Sequence, residues 1–143
     1  MGWADYYATE YRVPPELVHA IIEVESACQA HAISTKGAAG LMQLMPATAV
    51  TFGVTNRFEV EQNIRGGVAY LARLLKLFNG DLRLVTAAYV AGENRILSAR
   101  LQYSNAEVFE YVSKVARLYQ QKCLERLRME PLAEIANKGG NSP

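Results

Sequence analysis

At 143 residues the chain is sized for one domain with a buried core, with half its residues hydrophobic and a fifth charged. A formal net charge of +1, its signs alternating along the chain, excludes the basic stripe that a nucleic-acid binder needs. No apolar run approaches the roughly 20 residues that span a bilayer.

Taken in order, the chain reads as helices joined by glycine-rich turns. A short helix is expected over Trp3 to Tyr11. Val13-Pro14-Pro15 breaks it, and Pro15 suits the first turn of a second helix running to about Gln29. Ser34 to Gly40 is too small and glycine-rich for regular structure and reads as a loop. Leu41 to Leu44 is expected to form a helical turn, and Pro46 to start a short helix ending near Gly53. From Val60 to Phe78, the spacing of Ile64, Val68, Leu71, Leu75 and Phe78 predicts a longer helix. Asn79-Gly80 stops it, and Asp81 caps the next, which ends at Gly92. Another short helix covers Asn94 to Leu101. The last begins at Ser104 or Asn105, with Ser104 and Glu107 spaced as a capping box. Its buried face is read from Val108, Val112, Val115, Tyr119 and Cys123. No period-2 strand appears, so the fold is expected to be mainly α, with one domain over 1–136 and a disordered tail over 137–143.

The two cysteines, Cys28 and Cys123, are too few for a disulfide scaffold. Both fall on apolar faces of predicted helices, which leaves buried free thiols and a long-range disulfide both open. They lack metal-ligand spacing, with only His19 and His31 to assist, so neither a metal nor a cofactor is expected. The opening Met1-Gly2-Trp3-Ala4-Asp5 has no leader pattern, which fits a cytoplasmic protein or an exported one without its leader.

One carboxylate lies on the wrong face. At about 100° per residue, Leu17, Val18, Ala20, Ile21, Ile22, Val24, Ala27 and Cys28 share one arc of the second helix. Glu16, His19, Glu23 and Ser26 lie opposite. Glu25 falls inside the apolar arc, its only charged residue. A carboxylate among apolar side chains finds a partner or raises its pKa, and a raised pKa suits a general acid. From the wheel alone the structural role is the stronger reading, with Glu25 reaching water at the arc's edge or pairing with a buried arginine.

The neighbouring motifs carry more information. Glu25-Ser26, then Ser34-x-x-Gly37-Ala38-x-Gly40-Leu41-Met42-Gln43-Leu44-Met45-Pro46-x-Thr48-Ala49, closely resembles the core of the soluble lytic transglycosylase family. Asn63-Ile64-x-x-Gly67-x-x-Tyr70-Leu71 and Phe78-x-Gly80-Asp81-Leu82, leading into Ala87-Ala88-Tyr89-Val90-Ala91-Gly92, match its middle. Glu107-x-x-x-Tyr111-Val112-x-x-Val115 resembles its closing helix. The resemblance covers about Pro14 to Tyr119, with the blocks in order.

That resemblance implies the lysozyme-like helical fold shared by goose-type lysozymes and lytic transglycosylases. It also implies non-hydrolytic cleavage of the β-1,4 bond between N-acetylmuramic acid and N-acetylglucosamine in peptidoglycan. Glu25 would protonate the glycosidic oxygen, then act as base on the muramoyl C6 hydroxyl to leave a 1,6-anhydro end; the substrate's acetamido group would stabilise the intervening charge. By matching position, Ser34 would bond near that acetamido group, and Gln43 and Met45 would line the cleft. Tyr89 would stand near the catalytic carboxyl, with Glu107 and Tyr111 beside the cleft, while Met42 reads as core. The implied partner is the peptidoglycan strand, met by a monomer in the periplasm or cell envelope, which favours the exported reading of the N-terminus. Two positions depart from the family pattern: Val90 stands where Asn is usual, and Val108 where Thr is usual. A hydrolytic muramidase on the same fold would instead need a second carboxylate, for which Asp81 and Glu93 are candidates. A glycan-binding module without catalysis is the third reading.

Overall fold

The computed structural model describes residues 2–138. Its helices are α1 (Trp3–Tyr11), α2 (Pro15–Ser26), α3 (Pro46–Thr51), α4 (Val60–Leu77), α5 (Leu82–Ala91), α6 (Glu93–Ala99) and α7 (Ala106–Lys138), with a 3₁₀ turn over Arg100–Gln102. Among the described residues there is no strand; two isolated bridges, Ile33 with Ala39 and Ala39 with Leu44, pin the loop after α2. The mainly α expectation therefore holds.

The apolar stripe of α4 explains its central place. Val68, Leu71 and Leu74 are fully buried, and α4 packs against α1, α3 and α5. Glu59 caps it, its carboxylate accepting the N–H groups of Glu61 and Gln62. Leu17 and Ile21 of α2, Val85 and Ala88 of α5, and Ile96 of α6 complete the core around it. Met42 is fully buried, as expected of a core residue. α7 lies across α2 and α5, with Val115 buried beneath it.

Several boundaries differ from the sequence reading. α2 ends at Ser26 because Ala27 (φ 50°) and Cys28 (φ 63°) turn left-handed, the Ala27 N–H bonding the Glu23 carbonyl at 3.0 Å. Cys28 is thereby exposed outside the helix, not buried on its apolar face; it and the half-buried Cys123 are free thiols, not a disulfide. The side of α2 expected to face solvent is partly buried: Glu16 and Ser26 are covered. Arg126 of α7 pairs with Glu16 at 2.8 Å and Lys122 with Glu23 at 2.9 Å, making this side a seam between helices. Leu41–Leu44 forms a turn closed by the Gln43 N–H on the Gly40 carbonyl, not a helical segment. The α6 region splits at Arg100 (φ 50°) into a helix and a 3₁₀ turn. Asn105 alone caps α7, its Oδ1 accepting the N–H groups of Glu107 and Val108, so the Ser104–Glu107 box does not form. α7 also continues through Lys138, past the boundary expected at 136; the rest of the expected tail, 139–143, lies outside the described residues.

Candidate active site

The loop between α2 and α3 is irregular, so its backbone groups need partners from elsewhere. Asn63, fully buried in α4, supplies two of them and ties in the α3–α4 loop as well. Its Oδ1 accepts the Met42 N–H at 2.8 Å, and its Nδ2 donates to the carbonyls of Ala39 (3.0 Å) and Arg57 (2.7 Å). Arg57 Nη1 donates to the carbonyls of Gly37 (2.7 Å) and Leu44 (2.8 Å). Gly40 sits at φ +83°, where a Cβ would collide with the Arg57 carbonyl and the Asn63 amide, so only glycine fits.

The loop residues expected at the site are oriented by these bonds. Ser34 Oγ accepts the Ala38 N–H at 3.0 Å, closing its own turn. Gln43, at φ 50°, donates its amide nitrogen to the carbonyls of Ala32 (3.0 Å) and Gly40 (2.9 Å). Both amide protons are then used, leaving the side-chain oxygen as its group for a ligand.

Glu25 occupies the last turn of α2, half-buried beneath α7. Burial pushes its carboxyl up from 4.5 to about 7, while a 2.9 Å hydrogen bond from the Tyr111 hydroxyl to Oε1 pulls the other way. No other carboxylate contributes to this shift. The Tyr111 hydroxyl is itself raised well above its ordinary value, by burial first and then by the charge of Glu25. Tyr89 is raised by the same two causes in the same order. Its hydroxyl, however, donates to the Met42 carbonyl at 2.7 Å, so Tyr89 stands near Glu25 without bonding it.

Tyr89 also lines a cavity of about 230 Å³ with Gln43, Met45, Thr48, Tyr70 and Val90. Met45 and Val90 are more than two-fifths exposed there, presenting a thioether and an apolar wall to whatever enters. The structure thus brings Glu25, Tyr89 and Tyr111 together and sets Gln43 and Met45 along the adjoining cavity. Glu107 is not joined to them; it is exposed in the first turn of α7. The two candidate second carboxylates are both engaged: Asp81 caps α5 and pairs with Arg83, and Glu93 is held by Arg73. Among the described residues, no three His, Cys, Asp or Glu side chains gather so as to hold a metal ion.

Arg57, and the role of Asn63 beyond its place in a motif, are what sequence reasoning missed. Asn63 carried a usable signal, a polar side chain beside Ile64 on the buried face of α4. Arg57, in a loop, carried none.

Over residues 3–112 the chain matches the family described as the transglycosylase SLT domain. It is 42% identical over 88 residues to a transglycosylase of Enterobacteria phage PRD1, a stretch covering 62% of this chain and 33% of that protein. It is 34% identical over 105 residues to membrane-bound lytic murein transglycosylase D of Escherichia coli K12, covering 69% of this chain and 23% of the relative. Among solved structures it resembles an inactive mutant of the lytic transglycosylase Slt from Pseudomonas aeruginosa, with a TM-score of 0.73 and 30% identity over 84% of this chain and 24% of the other. The 70 kDa soluble lytic transglycosylase of Escherichia coli gives the same TM-score at 26% identity, over 82% of this chain and 23% of that one. These likenesses bear out the lysozyme-like fold. The chain spans a third or less of the length of these relatives.

Proposed function

This chain belongs to the transglycosylase SLT domain family, and on that premise we propose that it is a lytic transglycosylase of peptidoglycan. It cleaves the β-1,4 bond between N-acetylmuramic acid and N-acetylglucosamine and leaves a 1,6-anhydromuramoyl end. The observation that carries this reading is Glu25: a carboxyl pushed to about 7, bonded by Tyr111, with no second carboxylate perturbing it.

The reaction needs a group that gives a proton and later takes one. Burial keeps the proton on Glu25 near neutral pH, ready for the glycosidic oxygen as the C1–O bond breaks. Once ionised, Glu25 is stabilised by the Tyr111 hydroxyl, which favours the carboxylate. It then takes the proton of the muramoyl C6 hydroxyl as that oxygen bonds to C1, and the enzyme returns to its starting state. The substrate's own acetamido group steadies the charge at C1, so one protein carboxyl suffices. The Ser34 O–H, still free to donate after its oxygen has accepted the Ala38 N–H, is the group offered to that acetamido. The Gln43 oxygen and the Met45 thioether hold the sugar along the cavity, a role Tyr89 shares. Glu107, exposed one helical turn before Tyr111 and unconnected to Glu25, takes no part in these steps. A hydrolytic reading needs a second carboxylate to activate water, and the engagement of Asp81 and Glu93 disfavours it.

The site of action is the cell envelope, where murein lies; no described helix is long and apolar enough to cross a membrane. Glu25→Gln, checked for folding by circular dichroism, should lower muropeptide release from sacculi by about 10²–10⁴-fold, the scale of lost general acid–base catalysis. Release at native rates would overturn the reading. Sacculus binding by both proteins with release by neither would point to the glycan-binding module.

A further inference from the structure

One exposed cluster takes no part in the cleavage site. On α1, Ala4 and Ala8 are buried and seat the helix on α4 and α2. Its flank carries Trp3, Tyr7 and Tyr11 at intervals of four residues, which sets their rings in one row along about 12 Å of helix. Trp3 lies 6.0 Å from Tyr7 and Tyr7 lies 6.2 Å from Tyr11, their planes 24° and 36° apart. Tyr6 meets Trp3 and Tyr7 edge-on, at 6.0 and 5.0 Å. The Tyr7 hydroxyl donates to the Glu61 carboxylate and so pins the row to α4. Trp3, Tyr6 and Tyr11 remain 48%, 45% and 41% exposed, and none of the four lines the cavity beside Tyr89.

Single exposed apolar side chains are ordinary, whereas a contiguous cluster of rings marks a surface that meets something. The charges around it balance: Asp5 pairs with His19 at 2.9 Å, Glu61 with Arg65 at 3.4 Å, and Glu10 is offset by Arg12 at the helix end. That balance offers no basic patch to an acidic membrane. The large apolar residues exposed on α1 are all aromatic, so the aliphatic stripe by which a partner helix docks is missing. A pyranose fits both features. It carries no charge, and its axial C–H groups pack on the electron-rich face of an aromatic ring. Its rim of hydroxyl and acetamido groups meets the Tyr6 and Tyr11 hydroxyls, which bond nothing else among the described residues. We propose that the aromatic flank of α1 is a second glycan-binding surface, taking N-acetylated sugars of a murein strand outside the cleavage site. This rests on the murein reading above, and it holds the domain on its polymer between cuts.

Trp3 is the chain's one tryptophan, so its fluorescence reports this surface directly. The probe is uncross-linked murein strand with its peptides attached, titrated into the folded Glu25→Gln protein so that it stays intact. Trp3 emission should shift and saturate along the binding curve measured by calorimetry. Strand that binds without moving the emission overturns the surface and leaves the murein reading standing; strand that does not bind overturns both. Tyr6→Ala combined with Tyr11→Ala should weaken strand binding about tenfold, the scale of two lost ring contacts. In the Glu25 background the same pair should leave kcat on a tetrasaccharide fragment unchanged. Unaltered strand binding, or an equal loss on strand and tetrasaccharide, overturns the surface. The emission titration leaves the rings intact and decides the matter even where the double variant does not fold. Anionic vesicles that move the emission as far as the strand does would make this a membrane face. Emission that changes with protein concentration alone would make it a contact between copies. Either result overturns the proposal.

Discussion

Burial at the end of α2 pushes the Glu25 carboxyl from 4.5 to about 7, and the same displacement that suits it to catalysis costs the fold stability. Between those two values the folded chain holds a proton that the unfolded chain has already lost. Stability therefore falls as pH rises from 4.5 to about 7, and the loss is complete above that. At ~1.4 kcal/mol per pH unit the full cost is about 3 kcal/mol. Glu25→Gln should accordingly be more stable than the native protein by up to about 3 kcal/mol at pH 8 and no more stable at pH 4, measured by urea denaturation at both. A gap that does not close at low pH would remove burial as the source of the shift. Tyr111 acts in the opposite sense, since its hydrogen bond favours the carboxylate. In Tyr111→Phe the basic limb of the pH–rate profile should move up by about one unit, the worth of one hydrogen bond to a charged group. A limb that stays in place would mean that Tyr111 does not tune the acid.

At the scale of elements, the loop between α2 and α3 shows how much was legible and where legibility stopped. The period of α4 is visible in its own sequence, as are the Pro15 and Pro46 starts and the Asp81 cap. The early end of α2 is not, because Ala27 and Cys28 are not residues that announce a left-handed turn. The burial of Glu16 is also illegible locally: a helical wheel sees one helix, and Arg126, which pairs with it, comes from α7, more than 80 residues later. Glu25 was legible as an oddity for the same reason in reverse, since its apolar neighbours lie on its own helix. Its bond to Tyr111 joins residues 86 apart and was not foreseen; the family resemblance put Tyr111 only beside the cleft and gave the place near the carboxyl to Tyr89. Asn63 ties α4 to the loop that carries Gln43 and Met45. Asn63→Ala removes three hydrogen bonds and leaves the Met42 N–H without its partner, so it should cost about 3 kcal/mol in chemical denaturation. Activity should fall with it; unchanged activity in the folded variant would show that the loop does not depend on Asn63.

Across the whole molecule, the site exists because α7 crosses α2 and α5, bringing Tyr111 down onto Glu25, while α4 holds the loop from the other side. The cavity then leads away past Tyr89 and Tyr70. Val90, exposed in its wall where the family usually has Asn, makes that wall apolar, so polar contacts along it fall to Gln43 and Thr48. A single proton-holding carboxyl, with the other candidates engaged, is what the proposed internal attack by C6 needs. The most direct test is mass spectrometry of the muropeptides released from purified sacculi. The account predicts fragments ending in 1,6-anhydromuramic acid, each one water lighter than its hydrolysed counterpart; ordinary reducing ends without anhydro forms would contradict it.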